Sequence, residues 1–318
     1  MTVLLVASGG GHLKQLYVLM PRLRLSTEYV WAVPKNELST DLLRDQNKFW
    51  LRYNGPRNII GILINFIRIA RWTRFGKDLD AIVTTGANHG LAAYPIAILR
   101  RIPFHFIETA ARVDGPSLSG RIALLLPGIH YYVQHPETAT LKRPYVGSVF
   151  ESFTKSVEEA GVTNGDITTL VTVGAMQDVG FRRMIEACKN GLPAGYDVFW
   201  QVGPTFVEDL EIEYQRYVPA GDLQSMIAAR SVVIMHAGVG SILSALEAGK
   251  IPIIFPRYES HEEHVDDHQH QIARHLDSLG LAITIWEGNN LTSAHLEQVL
   301  TSRVRVKIEA APPLQLRC

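Results

Sequence analysis

Residues 3–20, VLLVASGGGHLKQLYVLM, contain the structural unit from which the rest of the chain is built. The apolar run 3–7 ends at a group of glycines, as is typical of a buried strand in a parallel sheet. Beyond the glycines, apolar residues recur at helical spacing, at Leu13, Leu16, Leu19 and Met20. The stretch therefore predicts a strand, a glycine turn and a helix.

The same pattern returns along the chain and predicts its fold class. Further apolar runs of strand length occupy residues 29–33, 81–86, 104–108, 168–174, 198–203, 231–235 and 251–255. Residues 145–150 are predicted to form the last strand of the first half, and the polar stretch 151–166 follows them. Strands that alternate with helices indicate right-handed crossovers and a parallel sheet. We therefore predict an α/β protein with two Rossmann-like domains, residues 1–152 and 153–318, whose ligands bind beyond the carboxyl ends of the strands.

Composition and charge exclude several classes of protein. The 318 residues are 47% hydrophobic and 19% charged, which excludes a disordered chain. Lys plus Arg and Asp plus Glu number 31 each, so no net charge favours nucleic acid as a partner. Two cysteines exclude a disulfide framework and a cysteine-rich metal site. The sequence shows neither a transmembrane run nor a signal peptide, so we expect a cytoplasmic protein.

The first glycine turn, Gly9-Gly10-Gly11, is followed by His12 and has two interpretations. Gly10 and Gly11 allow the backbone to approach a ligand closely, and the N-terminus of the following helix favours a phosphate. A dinucleotide fingerprint is excluded because Lys14 occupies the position of its third glycine. The alternative is a tight turn needed only for folding. His12 favours a functional turn, because an imidazole at a strand end can take a proton from a hydroxyl.

Glu108 is a second candidate for acid–base chemistry. It ends the apolar strand 104–108, and a carboxylate at that point can act as a base or orient one. The alternative is an acidic residue at a helix start that complements the helix dipole. We rank His12 first as the base and Glu108 second.

The second glycine turn is His236-Ala237-Gly238-Val239-Gly240-Ser241, which follows the strand 231–235 and opens a helix. Small residues, a hydroxyl and unbonded backbone N–H groups at a helix start form a cradle for a diphosphate. One such turn is weak evidence. One turn in each half of the chain suggests a ligand that is held in a cleft between two domains.

The segment 256–269 combines acidic residues with histidines and has three interpretations. His264 and His268 lie one helical turn apart, which is compatible with a metal site. The segment matches none of the zinc-protease motifs, however, and a solvated loop before a helix is the plain alternative. The favoured interpretation is that Asp267, His268 and Gln269 form hydrogen bonds with sugar hydroxyls. We therefore predict no metal site.

Residues 57–77 predict a basic amphipathic helix that is unusually apolar. Phe66 and Trp72 lie among isoleucines, and five basic residues occur with no acidic residue between them. Such a helix is typical of binding to a membrane surface. The alternative is a helix packed inside its domain with a basic exposed edge. The residues predicted to reach the membrane are Ile64, Phe66, Arg68, Arg71, Trp72 and Arg74.

Together these motifs resemble those of a known group of two-subunit glycosyltransferases. The N-terminal half is similar to the membrane-recruiting subunit of the Alg type over residues 8–12, 107–112, 132–136 and 145–150. The C-terminal half is similar to the catalytic subunit of that type over residues 172–174, 236–250 and 263–269. The string 263–269, EHVDDHQ, most resembles bacterial exopolysaccharide glycosyltransferases of the PssD/PssE type, here fused into one chain. A more distant resemblance is to the MurG glycosyltransferases.

The resemblance implies a GT-B fold of two Rossmann-like domains that face a central cleft, with the acceptor on the first domain and a UDP-sugar mainly on the second. It implies an inverting transfer onto a polyprenyl-diphosphate-linked saccharide at the inner face of the plasma membrane, without a metal or another cofactor. The resemblance also implies which residues bind the donor, by their match to the motifs of that group: Gly174, Ala175, Met176, His236, Gly238, Gly240, Ser241, Asp267, His268 and Gln269.

Three further residues complete the predicted donor site. Relatives often carry an acid for the ribose where this chain has Ser244, so Ser244 or the neighbouring Glu247 is predicted to make this contact. The PssD/PssE type favours UDP-glucuronate, and Arg257 at a strand end offers a cation for its carboxylate. UDP-glucose, UDP-galactose and UDP-GlcNAc stay open as donors.

Two rival hypotheses come from other classes of protein. One is a non-catalytic membrane scaffold for a partner transferase, which the presence of both half-sites in one chain disfavours. The other is a dinucleotide-dependent oxidoreductase, which the broken glycine fingerprint disfavours.

Overall fold

A computed structural model describes residues 2–23, 28–55, 58–74, 78–157, 167–174, 178–307 and 316. These residues divide into two compact units. The first unit extends to Glu151 and includes Leu316, and the second extends from Ser152 to Lys307.

Six parallel strands form the sheet of the first unit. The strands are β1 (Thr2–Val6), β2 (Glu28–Pro34), β3 (Lys48–Leu51), β4 (Ala81–Thr84), β5 (Phe104–Ile107) and β6 (Ile129–Tyr132). The helices are α1 (Gly11–Leu19), α2 (Glu37–Leu42), α3 (Ile59–Arg74), α4 (Ala87–Arg100) and α5 (Leu118–Leu125). The strand order is β3-β2-β1-β4-β5-β6, so the order reverses between β1 and β4.

The core of this unit explains why its strands are continuous apolar runs. Leu4 of β1 pairs with Val30 of β2 on one side and with Ile82 of β4 on the other, and all three are buried. α4 adds the small residues Ala92 and Ala93 to the same core. Strands that are buried along their whole length are expected where helices cover a parallel sheet.

The second unit repeats this arrangement. Its strands are β7 (Phe153–Val157), β8 (Thr168–Thr172), β9 (Asp197–Gln201), β10 (Tyr214–Gln215), β11 (Val232–His236), β12 (Ile253–Phe255), β13 (Ile283–Thr284) and β14 (Ser302–Val306). Its helices are α6 (Arg182–Gly191), α7 (Ala220–Ala229), α8 (Val239–Glu247), α9 (His268–Ser278) and α10 (Ser293–Leu300). The parallel sheet has the order β10-β9-β8-β11-β12-β13, and β7 pairs with β14 in a separate antiparallel pair.

The predicted α/β class with two Rossmann-like units is confirmed, because both sheets have the doubly wound strand order. The strand predicted over residues 145–150 is wrong. This segment contains only an isolated bridge between Tyr145 and Val133, and Gly147 turns the backbone with a φ of 99°. Within the described ranges, every helix is too short or too polar to cross a bilayer.

Candidate functional site

In each unit the strand order reverses at one point, and the loops that follow the two strands there include the predicted glycine turn of that unit. In the first unit these loops follow β1 and β4, and in the second they follow β8 and β11. Ligands of open parallel sheets bind beyond the carboxyl ends of the strands at this point. Both predicted glycine turns therefore occupy the position that the fold favours for a ligand.

The first glycine turn exposes backbone at the start of α1. Gly10 precedes the helix, and a Cβ built on Gly10 would meet no atom within 4 Å. Asn36 supports the turn by donating from Nδ2 to the carbonyl oxygen of Gly9 at 2.7 Å. A Cβ on Gly9 would lie 2.3 Å from that nitrogen. Gly9 is thus needed for packing, whereas Gly10 leaves room for a ligand.

His12 lies in the first turn of α1, and two hydrogen bonds connect it with Thr85 at the end of β4. Its Nδ1 donates to the Thr85 carbonyl oxygen at 2.8 Å, and the Thr85 hydroxyl donates to the His12 carbonyl oxygen at 2.8 Å. A proton on Nδ1 places the lone pair of the neutral ring on Nε2. The ring is partly exposed. Its orientation and tautomer therefore suit a base that receives a proton on Nε2.

Glu108 is buried, and its carboxylate already accepts three hydrogen bonds. Oε1 accepts from the N–H of Thr109 at 3.0 Å, and Oε2 accepts from the N–H of Ser117 at 3.0 Å and from the Tyr131 hydroxyl. Burial, followed by the charge of Glu108, raises the pKa of Tyr131, so its hydroxyl stays protonated as a donor. These contacts hold the loop between β5 and α5 and favour a structural role for Glu108 over that of a base.

Two buried amides that the sequence analysis did not single out connect the loops around this site. Oε1 of Gln15 accepts from the N–H of Ala110 at 2.8 Å and from Nε2 of Gln134 at 3.2 Å. Gln134 also donates to the Glu108 carbonyl oxygen at 2.9 Å and accepts from the N–H of Val149 at 3.1 Å. A signal for both was available in the sequence, since each is a polar residue on the apolar side of its segment, close to a strand end.

The second glycine turn presents the N-terminus of α8. Gly238 precedes this helix without a side-chain cap. Within the residues that the structure describes, no protein group accepts a hydrogen bond from the N–H groups of Val239, Gly240 or Ser241. An uncapped helix start carries a partial positive charge and oriented donors, and both suit a diphosphate.

His236 fills the space between two glycines of the second unit. A Cβ on Gly174 would lie 2.3 Å from its Cε1, and a Cβ on Gly238 would lie 2.3 Å from its Nε2. Burial, reinforced by the positive charge of Arg257, lowers the pKa of His236 to about 3. The ring is therefore neutral near pH 7, and it positions the turn by packing rather than by offering a charge to a phosphate.

The guanidinium of Arg257, which we expected to meet the donor sugar, is buried and bound to backbone. Nη1 donates to the carbonyl oxygens of Val179, Gly180 and Glu263, and Nη2 donates to that of Val173, at distances of 2.9 to 3.3 Å. Burial lowers the pKa of Arg257 to about 10, so the group keeps its charge near pH 7. Arg257 thus fastens the end of β8 to the segment before α9, and its effect on a donor is indirect in this conformation.

The three predicted sugar contacts lie together at the start of α9. Asp267 is exposed, and its Oδ1 accepts from a backbone N–H of the preceding turn at 2.8 Å. His268 is partly exposed, and its Nδ1 lies 2.5 Å from Oδ1 of Asp266. Gln269 is buried and accepts from the N–H of Arg257 at 3.2 Å. Asp267 and His268 are thus accessible to a ligand, whereas Gln269 supports the strand end.

Ser244 and Glu247, the two candidates for the ribose contact, differ in their distance from the start of α8. Glu247 is the last residue of the helix and is exposed. Eight residues separate it from Val239, a rise of about 12 Å along the axis. Ser244 is partly buried and closer to the helix start, so the geometry favours Ser244. Ala175 and Met176 lie outside the described residues.

α3 packs one side against the core and exposes the other. The buried residues recur every fourth position, at Gly61, Asn65, Ile69 and Thr73. Phe66 and Trp72 lie next to this stripe and pack against the core, where Trp72 stacks on Phe49 at 4.7 Å. Ile64 is partly buried. The exposed apolar residues of α3 are therefore Ile59, Ile60, Leu63 and Ile67. Its exposed basic residues are Arg68, Arg71 and Arg74.

A second group of exposed apolar residues lies on neighbouring elements, since α4 packs against both α3 and α5. Leu99 at the end of α4 is 73% exposed, Leu125 of α5 is 85% exposed and Leu141 is 92% exposed. Exposed basic residues accompany them at Arg100, Arg101, Arg121 and Lys142. A shallow pocket of about 540 Å³ is lined by Leu124, Thr140, Leu141, Lys142 and Arg143.

Comparison with known proteins adds a family match and several structural matches. Residues 168–309 match the glycosyltransferase family 28 C-terminal domain. The chain is similar to the crystal structure of MurG from Acinetobacter baumannii, with 18% identity over 90% of this chain and 85% of that chain and a TM-score of 0.53. It is similar to the glycotransferase of kitacinnamycin, with 15% identity over 94% of this chain and 89% of that chain and a TM-score of 0.59.

A third similar structure belongs to another class of enzyme. It is the UDP-GlcNAc 2-epimerase from Methanocaldococcus jannaschii, with 11% identity over 99% of this chain and 96% of that chain and a TM-score of 0.58. None of the curated protein sequences compared with the chain matches it.

At these identities the structural matches establish the fold alone. The predicted GT-B fold and the distant likeness to MurG are confirmed, while the assignment to the PssD/PssE type stays a prediction. The match of residues 168–309 to a glycosyltransferase family supports the predicted glycosyltransferase class. The chain thus has the GT-B fold, and its residues 168–309 match the C-terminal domain of glycosyltransferase family 28.

Proposed function

We propose that the protein is an inverting glycosyltransferase that moves a sugar from a UDP-sugar to a polyprenyl-diphosphate-linked saccharide in exopolysaccharide synthesis. The observation that carries this proposal is the uncapped start of α8, at the reversal of strand order in a family 28 domain. UDP leaves with a developing negative charge, which the N–H groups of Val239, Gly240 and Ser241 can stabilise. Because backbone donors supply this stabilisation, the proposed transfer requires no metal or other cofactor.

His12 is the proposed base. Its Nε2 takes the proton of the acceptor hydroxyl while the hydroxyl oxygen forms a bond to the anomeric carbon of the donor. The bond from that carbon to the UDP oxygen breaks at the same time, and UDP leaves with the electron pair. The Thr85 carbonyl oxygen, 2.8 Å from Nδ1, stabilises the imidazolium that results. Attack opposite the leaving group inverts the configuration of the anomeric carbon.

We propose glucuronic acid as the donor sugar, on the resemblance to the PssD/PssE type. Asp267 and His268 at the start of α9 would contact the sugar hydroxyls, and Ser244 would contact the ribose. Arg257 would support this site by holding the end of β8 in place. Glucose, galactose and GlcNAc are the alternative sugars of the same proposal.

The exposed apolar and basic residues of the first unit are the proposed contact with the inner face of the plasma membrane. Exposed isoleucines and leucines on α3, α4 and α5 can enter the boundary between headgroups and acyl chains, and neighbouring arginines can pair with anionic lipids. The pocket beside Lys142 and Arg143 combines apolar walls with two cations. Such a pocket suits the junction between a lipid chain and its diphosphate. The protein would then bind the membrane reversibly from the cytoplasm.

The test of the activity is UDP release from a panel of UDP-sugars, with a lipid-diphosphate-linked glucose as acceptor and EDTA present. We expect turnover with UDP-glucuronate that depends on the acceptor. Turnover with another UDP-sugar would replace glucuronic acid as the proposed donor sugar and leave the proposed mechanism unchanged. Conversion of a UDP-sugar without an acceptor would favour an epimerase. No turnover together with binding of UDP would favour the scaffold hypothesis and contradict the proposal.

The test of the membrane contact is flotation with liposomes that contain anionic lipid. The variant Ile60→Gln/Leu63→Gln removes two exposed apolar side chains of α3, and we expect its bound fraction to fall several-fold. Leu279→Gln is the matched control, because Leu279 is an exposed leucine (48%) that belongs to the second unit and not to α3, α4 or α5. Equal binding of both variants and the parent would refute the proposed surface.

A further inference from the structure

We propose that His264, Asp266 and His268 form a binding site for a divalent transition metal ion, with zinc as the favoured ion. His264 and Asp266 lie in the turn before α9, and His268 is the first residue of that helix. One nitrogen of each imidazole and one carboxylate oxygen lie within 4.8 Å of one another. Two imidazoles and a carboxylate are a ligand set that zinc uses in proteins, with the remaining position left to water or another ligand.

The distances between these groups are close to those between the ligands of a metal ion. Nδ1 of His264 lies 3.8 Å from Oδ1 of Asp266, which is too long for a hydrogen bond. Nδ1 of His268 lies 2.5 Å from the same oxygen. Ligand atoms of a tetrahedral zinc ion are about 3.3 Å apart, given metal–ligand bonds of about 2.0–2.1 Å. Both observed distances lie within about 1 Å of that spacing, so small side-chain rotations would close the site.

The surroundings of the three residues also suit a bound cation. The two imidazole rings contact each other edge to face, with centroids 4.4 Å apart. Their side chains are 12% and 22% exposed, and that of Asp266 is 32% exposed, so an ion could enter from solvent and still be shielded. The same segment carries further exposed acidic residues at Glu259, Glu262 and Asp267. Their negative charge raises the local concentration of cations.

The plain alternative is that Asp266 only caps the start of α9. Its Oδ1 also accepts from the backbone N–H of His268 at 3.3 Å, as a capping carboxylate would. A cap explains the contact with His268, but it gives no reason for the ring of His264 to lie beside the same oxygen. A metal explains all three contacts. Because the transfer we propose needs no metal, the ion would organise this segment and would not take part in the chemical step.

The test is a zinc titration of the full chain in competition with a chromophoric zinc indicator, without donor or acceptor. We expect one equivalent of zinc per chain, and visible absorption bands of four-coordinate cobalt when Co²⁺ replaces it. His264→Ala and Asp266→Asn should each raise the dissociation constant for zinc at least about tenfold, since each removes one ligand. His261→Ala and His270→Ala are matched controls, because these histidines lie in the same segment and contact Glu287 and Trp286 instead.

The controls should bind zinc as the parent does. Absence of stoichiometric binding by the folded parent would overturn the proposal. Equal zinc affinity of parent, His264→Ala and Asp266→Asn would overturn it as well, and so would an equal loss in the two controls. Circular dichroism of every variant establishes that it is folded. The measurement needs no turnover, so its outcome is independent of whether the protein transfers a sugar.

Discussion

The two glycine turns share one sequence pattern but use their histidines in opposite ways. In the first unit His12, the proposed base, is partly exposed, and its Nδ1 donates to the Thr85 carbonyl oxygen. In the second unit His236 is packed between Gly174 and Gly238, and the free groups are the backbone N–H groups of α8. One turn thus presents a side chain and the other presents backbone. A shared strand–glycine–helix pattern therefore fixes where a ligand binds but not which group reaches it.

Replacement of His12 is expected to have the largest effect. His12→Ala removes the base, and loss of general base catalysis should lower kcat about 100- to 10,000-fold. Binding of UDP should stay nearly unchanged, because the first turn does not supply the proposed diphosphate donors. Rates come from the UDP-release assay, and UDP binding is measured by thermal shift. Loss of UDP binding to the same degree would refute the assignment of the base.

His236→Gln is the matched comparison for this experiment. It should weaken UDP binding, since the ring positions the turn before α8, and should leave the pH dependence of kcat as in the parent. If His236→Gln instead abolished turnover without any change in UDP binding, the roles of the two histidines would have to be exchanged.

The sequence predicts most of the fold but only part of the site, for a physical reason. Strands such as 231–235 are recognisable because burial on both faces requires a continuous apolar run. The role of Arg257 was not predictable, because its partners are backbone carbonyls of residues 173, 179 and 180, far away in sequence. Phe66 and Trp72, which we predicted to reach the membrane, are partly buried against the core, because an apolar helix offers several faces to a core. The amino-acid composition of the helix alone does not determine which face packs against the core.

Alanine replacements should change the free energy of unfolding by different amounts at the two turns. Gly174 lies against His236 of the second turn, and Gly10 lies in the first turn. A Cβ on Gly174 would lie 2.3 Å from the His236 ring, and Gly174 has a φ of 85°, which disfavours any side chain. Gly174→Ala should therefore lower the free energy of unfolding by roughly 2–4 kcal/mol. Gly10→Ala should change it by less than about 0.5 kcal/mol, because that Cβ would meet no atom within 4 Å. Urea denaturation measures both changes.

The turnover rate of the Gly10→Ala variant completes the comparison of the two turns. Gly10→Ala should still slow turnover if the first turn receives a ligand, although the protein is as stable as the parent. Equal destabilisation by the two alanines would show that the turns are not built differently.

The pH dependence of stability should reveal the neutral state of His236. The pKa of His236 is about 3 in the folded protein, against an ordinary value of 6.5. Below about pH 6.5 the unfolded chain therefore binds a proton at His236 that the folded chain does not. The neutral His236 therefore contributes stability to the folded protein above that pH, and this contribution is lost as the pH falls towards 3. Between about pH 7 and pH 5 the loss should be roughly 2 kcal/mol.

Urea denaturation across this pH range provides the check. His236→Gln should flatten the curve, although His105 keeps part of the slope because burial lowers its pKa to about 4. A parent and a His236→Gln variant with the same slope would contradict the neutral state of this ring.

A smaller effect on turnover is expected at Asn36, which supports the first glycine turn. Asn36 makes two separable contacts: its Oδ1 accepts from the N–H of Ser39 at 2.8 Å as the cap of α2, and its Nδ2 donates to the Gly9 carbonyl oxygen at 2.7 Å. Asn36→Asp keeps the cap and loses the donor, whereas Asn36→Ala loses both. Loss of the cap in Asn36→Ala should cost about 1 kcal/mol of stability. Asn36→Asp should be nearly as stable as the parent and yet turn over several-fold more slowly, because a carboxylate beside the Gly9 carbonyl repels the turn that precedes His12. If both variants kept the parent's kcat, the first turn would not need this support, and its geometry would have to come from α1 and Thr85 alone.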